Sequence, residues 1–150
     1  MANDVYLFIN KLGLKDVSIV GFSDGAIISL LLSLKYQNIF ERMVLLGVNL
    51  KPQDFKKSIY SYLQCEYETN HDPLIKMMLE QPQIELEELR KINTSTLIVA
   101  GQNDLFYRKG FRDIVSTMPN AELKIMQNHD HGSYIIDQDL LYPVLKEFLQ

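Results

Sequence analysis

The five residues Gly21-Phe22-Ser23-Asp24-Gly25 constrain this chain more than any other stretch. Leading into them is Val17-Ser18-Ile19-Val20, short and β-branched, the composition of a strand. Behind them Ala26 to Leu34 is apolar almost all round, which marks a helix buried on most sides. A chain that passes from strand to buried helix within so few residues must turn sharply. Small residues two positions either side of Ser23 let the strand and the helix approach each other. The bare G-x-S-x-G pattern arises by chance in roughly 5% of chains this long, at ordinary Gly and Ser usage. The strand before it and the helix after it are what give it meaning.

The rest of the chain continues that alternation. Val5, Phe8, Ile9 and Leu12 follow i, i+3, i+4, i+7, an apolar helical stripe, with Asn3 or Asp4 as its cap and Gly13 at its end. Arg42 to Val48 is a near-continuous apolar run, as in a strand covered on both faces. Residues 51–93 break the rhythm. They open with Lys51-Pro52, hold Pro73 and Pro82, and offer helices over Phe55 to Tyr62, Leu74 to Leu79 and Ile84 to Ile92. A strand at Thr96 to Gly101 resumes the pattern, followed by a helix (Arg108 to Met118), a strand (Glu122 to Met126) and a closing helix (Leu140 to Leu149). Strands separated by helices predict an α/β fold with a mostly parallel sheet of about four strands and right-handed crossovers.

Composition narrows the function classes. At 47% apolar and 23% charged, the 150 residues are ordinary globular protein rather than disordered or fibrous. A net charge of −4 argues against nucleic acid or an anionic membrane as partner. The single cysteine, Cys65, excludes an internal disulfide and fits a reducing compartment. No basic segment precedes an apolar one at the start, and Ala26 to Leu34 is about half the length of a membrane span. The expectation is a cytoplasmic, soluble chain.

The chemistry gathers at the carboxyl ends of the strands, where open α/β sheets place their ligands. Ser23 sits at a helix N-terminus, and the Asp24 backbone N–H beside it can stabilise an oxyanion. A serine nucleophile needs a base, and the base an orienter. Of three histidines, His71 falls in the irregular stretch and reads as a surface residue. His129 and His131 follow the last strand. Asp104, just beyond the strand ending at Gly101, is the acid candidate, with an Asx-turn or helix cap as its plainer reading. No metal site is expected, because nothing completes His129 and His131 at ligand spacing, and no cofactor is called for. Cys65 reads as a small packed residue and Met77-Met78 as core or acyl-pocket lining. Tyr60, Tyr62 and Tyr67 face substrate or cover the core, and Glu85, Glu87 and Glu88 form a solvated face.

Taken together, Gly21 to Gly25, Thr96 to Asp104 and the run from Pro119 to Ser133 resemble the C-terminal part of an α/β-hydrolase of the esterase and lactonase group. The resemblance covers nearly the whole chain and is specific to the fold, not to a substrate. It implies Ser23 as nucleophile, Asp104 as triad acid and His131 as base. His131 is preferred to His129 because the family's histidine is commonly followed by glycine. It also makes 1–50 and 94–150 a partial core and 51–93 a small helical cap insertion. The family's first four strands have no counterpart here, so the chain reads as truncated, without the loop that donates the second oxyanion N–H. The strand Val17 to Phe22 then becomes an apolar edge, and two copies are expected to pair through it as a homodimer. The implied activity is a serine hydrolase acting on a carboxylic ester, thioester or lactone. The alternatives are an impaired remnant serving as a binding module, or a chain completed by a partner polypeptide.

Overall fold

The computed structural model describes all 150 residues. Four strands, β1 (Ser18–Phe22), β2 (Arg42–Leu46), β3 (Ser95–Gly101) and β4 (Ala121–Met126), pair in parallel in chain order. Around them lie helices α1 (Ala2–Lys11), α2 (Asp24–Lys35), α3 (Lys57–Asn70), α4 (Pro73–Glu80), α5 (Arg108–Thr117) and α6 (Leu141–Leu149). Short 3₁₀ turns at Pro52–Asp54 and Leu86–Lys91 complete the segment between β2 and β3. No helix is long and apolar enough to cross a membrane.

The register explains why β2 and β3 read as unbroken apolar runs. Val44 lies opposite Leu97 and Leu46 opposite Val99, while Met43 pairs with Thr96 and Leu45 with Ile98. Alternate side chains of these strands therefore enter two separate cores. Met43, Leu45, Ile98 and Ala100 pack with Leu30 of α2 and with Phe111 and Ile114 of α5. Val44, Leu46, Leu97 and Val99 pack with Tyr134 and with Leu141 of α6. Each step along the sheet moves one strand over in the same direction, so right-handed connections put α2 and α5 on one face. Only α6 covers the other. Burying a side chain of this size contributes about 1.5–3 kcal/mol, so the two central strands hold the molecule together.

Strand β1 is covered on one face only. Gly21 turns toward the α2 side, where a Cβ would meet the Gly25 carbonyl oxygen at 2.4 Å. The sharp turn thus depends on glycine there. Val20 and Phe22 point the other way and remain 44% and 36% exposed. The outer edge of β1 has no strand beside it in the chain.

Several local expectations shift. Helix α1 begins at Ala2, ahead of Asn3 and Asp4, and Asn3 instead accepts a hydrogen bond from the Tyr36 hydroxyl at 3.3 Å. Of its apolar stripe only Ile9 is buried, and Phe8 and Leu12 stay over half exposed. Gly13 does take the left-handed conformation, with φ +63°. Helix α3 starts later than Phe55 and runs far past Tyr62, because Phe55 is held in a bridge to Phe106 and no proline intervenes before Pro73. Asp72 then starts α4, its carboxylate accepting from the Leu74 N–H at 2.8 Å. Residues 86–91 form a 3₁₀ helix, not an α-helix. Leu86, Leu89 and Ile92 recur every three residues, which places them on one face at three residues per turn.

Candidate active site

The parallel sheet brings four strand ends to one side of the molecule. Ser23 follows β1 with φ +53° and ψ −115°, a strained conformation for a residue with a side chain. Its backbone N–H donates to the Leu46 carbonyl at 2.9 Å, tying the turn to the end of β2. Residues of α2 continue directly from it. The N–H of Asp24, first residue of that helix, donates to no protein acceptor.

Asp104 follows β3 and is almost completely buried, its side chain 1% exposed. One carboxylate oxygen accepts from the Gly101 N–H at 3.1 Å, and the other from His131 Nδ1 at 2.8 Å. The carboxylate can only accept, so the proton on that ring sits at Nδ1 and leaves Nε2 as an acceptor. Nε2 lies 3.2 Å from Ser23 Oγ. The structure thus joins Ser23, His131 and Asp104 in one hydrogen-bonded chain. His129 is elsewhere, its Nδ1 3.2 Å from Ser133 Oγ.

The turn carrying His131 is braced from three directions. Asp130 accepts from the Gly132 and Ser133 amides at 3.0 and 2.9 Å, and the Ser133 hydroxyl accepts from the Asp130 amide at 3.0 Å. The bonds from Gly132 and then from Ser133 hold the Asp130 carboxyl below its ordinary range. Tyr134 is fully buried behind Asp104 and donates to the Val99 carbonyl at 3.4 Å. Burial, and second the Asp104 charge, push its phenol well above the usual value. The imidazole itself lies between Phe22 and Phe106, with ring centroids 5.0 and 5.5 Å away.

Two residues that sequence reasoning did not single out complete the site. Gly47, after β2, has φ +59°, and a Cβ on it would meet His131 Cε1 at 2.5 Å. The ring occupies the space that the missing side chain leaves. The G-V-N turn after an apolar strand was the only available signal. Asn49, two residues on, is 4% exposed and donates from Nδ2 to the Lys51 carbonyl at 3.1 Å.

Ser23 and His131 open onto a cavity of about 690 Å³. Ile27, Ile28 and Leu31 of α2 form one wall, and Met77 and Met78 of α4 contribute another. Phe55 and Phe106 lie at its base, and the bridge between them ties residues 51–56 to the loop that bears Asp104. The exposed Asp24, Glu80, Gln81 and Gln83 supply its polar rim. Met77 and Met78 therefore border the cavity, and Met78 also packs against the larger core. Cys65 is exposed on α3, not packed, because its face of the helix looks to solvent. Tyr60 is half-buried and Tyr62 60% exposed, and neither reaches the cavity. His71 is exposed at the end of α3, and Glu85 and Glu87 pair with Lys51 and Arg90 at the surface. No three His, Cys, Asp or Glu side chains converge as metal ligands do.

No protein-family model and no curated protein matches the chain by sequence. Solved structures do match by shape. A hydrolase from Oleispira antarctica superposes with a TM-score of 0.81 at 19% identity, covering 99% of this chain and 70% of that one. The fold is that of the α/β hydrolases. A putative non-heme bromoperoxidase, BpoC, from Mycobacterium tuberculosis H37Rv gives 0.79 at 14% identity, over 99% and 72% of the two chains. The carboxylesterase CesB from Bacillus subtilis gives 0.77 at 17%, over 99% and 65%. In α/β-hydrolase terms, the turn at Ser23 is the strand-to-helix elbow of the fold. At these identities the likeness is one of architecture.

Proposed function

We propose that the chain is a serine hydrolase of carboxylic esters, thioesters or lactones, working through an acyl-enzyme. The observation that carries this is the Ser23–His131–Asp104 hydrogen-bonded chain at the base of an apolar cavity. Ser23 Oγ attacks the carbonyl carbon as its proton passes to His131 Nε2. The oxygen that gains charge meets the free Asp24 N–H at the start of α2, and removing such a donor typically costs ~10²–10³ in rate. The carbon–heteroatom bond then breaks, and the leaving group takes the proton from Nε2. Water repeats the sequence in reverse, giving its proton to His131 and releasing the acid and Ser23. Asp104 stabilises the imidazolium without itself taking a proton.

A fluorophosphonate probe tests the reading directly. It should label the protein at Ser23 and fail to label Ser23→Ala. Absence of labelling together with absence of p-nitrophenyl acetate turnover would overturn it. A second reading, a non-catalytic binding module, is favoured by one feature: the cavity beside Ser23 can hold a ligand whether or not the serine reacts. That reading expects ligand binding with neither labelling nor turnover.

The open edge belongs to the same proposal. Unpaired backbone groups along β1, with Val20 and Phe22 exposed beside them, form a template for another strand. The occupant we propose is a second copy of this chain. Two identical edges pair antiparallel about a two-fold axis, which makes the contact self-complementary and closed. Sedimentation that shows only monomer mass would overturn the pairing.

A further inference from the structure

We propose that Asn49 is a specificity-determining residue whose carboxamide oxygen accepts a hydrogen bond from a hydroxyl or N–H group of the substrate. The inference rests on the ester-hydrolase reading and narrows its substrate class. It selects esters with a hydrogen-bond donor on an otherwise apolar body.

The orientation of the amide is settled by its one protein contact. Nδ2 donates to the Lys51 carbonyl at 3.1 Å. Turning the amide over would set Oδ1 against that carbonyl, acceptor against acceptor, so the nitrogen stays where it is. Oδ1 is then the free end. It accepts no hydrogen bond within the protein, although the residue as a whole is 96% buried by its 4% exposure. No partnerless side-chain N or O atom is sealed from solvent, so Oδ1 has open space in front of it. Asn49 lines the cavity together with Ser23 and His131, which is the space we assign to Oδ1.

Its surroundings make this oxygen selective. The apolar part of the lining, including Ile27, Phe55, Leu105 and Phe106, offers no side-chain donor. An apolar ligand filling the cavity strips water from Oδ1 and returns nothing. A ligand with a hydroxyl or N–H at that point restores the bond. Sites built around such a bond reject analogues that lack the donor, because the buried protein group is left unpaired. Lys51 is also the first residue of the segment that walls the cavity, so the Nδ2 bond holds the amide on the turn leading into that wall.

The test uses the Ser23→Ala protein, in which binding is read without turnover. Calorimetry compares ethyl hexanoate with its 2-, 3- and 5-hydroxy derivatives and with the matching methoxy compounds. At least one hydroxy isomer should bind about tenfold tighter than the parent ester, and its methoxy analogue should lose that advantage. In Ser23→Ala/Asn49→Leu the ratio should fall to about twofold or less. The methoxy comparison keeps the test decisive if the double variant does not fold. The proposal is overturned if every isomer binds within about threefold of the parent, or if the preference survives the loss of Asn49. Absent ester turnover in the unaltered chain would count against the hydrolase reading alone, since these affinities do not depend on it.

Discussion

The two outer strands of the sheet end at two neighbouring members of one hydrogen-bonded chain, Ser23 and His131, and are built on opposite terms. Strand β4 leads to His131 and alternates along its length, with Glu122 and Lys124 exposed on the α6 face. Those residues lie opposite Leu97 and Val99 on β3. Strand β1 leads to Ser23, and on the same face it exposes Val20 and Phe22, opposite Val44 and Leu46. Charged residues on an edge discourage further pairing, whereas an apolar edge invites it. His131 therefore sits on an edge that is finished within the chain. Ser23 sits on an edge that is not, and its strained turn is tied to β2 by its N–H bond to Leu46.

The comparison is sharpest where both ends act as a unit. Ser23→Ala and His131→Ala should each lower kcat/KM for a reactive ester by about 10⁴–10⁶, and the double variant should be no worse than either alone. Additive losses would mean that the two edges do not work together. Asp104→Asn, on the other side of the imidazole from Ser23, should cost about 10⁴ through the wrong histidine tautomer.

Next in size is the edge itself. Val20→Lys places like charges across the proposed two-fold pairing and should weaken self-association by at least about a hundredfold. A Glu122→Lys change on β4 should leave the sedimenting mass unaltered. If both variants or neither changes the mass, the difference between the edges carries no weight for assembly.

Smaller again is the fit between β2 and the His131 turn. Gly47→Ala should lower kcat by about 10², because a Cβ there displaces the imidazole on the scale of an ångström. Far-ultraviolet circular dichroism should show the fold retained. An unchanged kcat would mean that the ring position is set from the β4 side alone.

The smallest effect concerns the brace on that turn. The Asp130 carboxyl titrates below its unfolded value, so its contribution is fully present above about pH 4 and is lost as pH falls through the lower folded value. Asp130 is exposed, and solvent screening keeps the effect small. Asp130→Asn should lower Tm by about 2 °C at pH 7, and the difference should vanish in strong acid. A difference that persists there would assign the effect to packing instead of charge.

These regions also mark what was legible in the sequence. The elbow at Gly21 to Gly25, the two central strands and the order Ser, Asp, His rest on local signals: β-branched runs, small residues at a turn, and chemistry placed just after a strand, with only the resemblance to α/β hydrolases favouring His131 over His129. The 3₁₀ turn at Leu86–Lys91 was harder, since Leu86, Leu89 and Ile92 at three-residue spacing also suit an α-helix. Helix α1 shows the other limit. Its stripe was real as a period, yet Phe8 and Leu12 remain exposed because α1 packs mainly against α2.

The chain by itself determined its alternation of strands and helices and the residue types at each strand end, because those follow from neighbours a few positions apart. Tertiary structure alone set the His131 ring within reach of Ser23 while His129 turns to Ser133, gave the side-chain space of Gly47 to the imidazole, and made Asn49 part of the cavity lining. Each of these depends on residues from 26 to 108 positions apart being brought together at the ends of strands lying side by side in a parallel sheet. The periodicity of one strand holds no record of what stands at the end of the next.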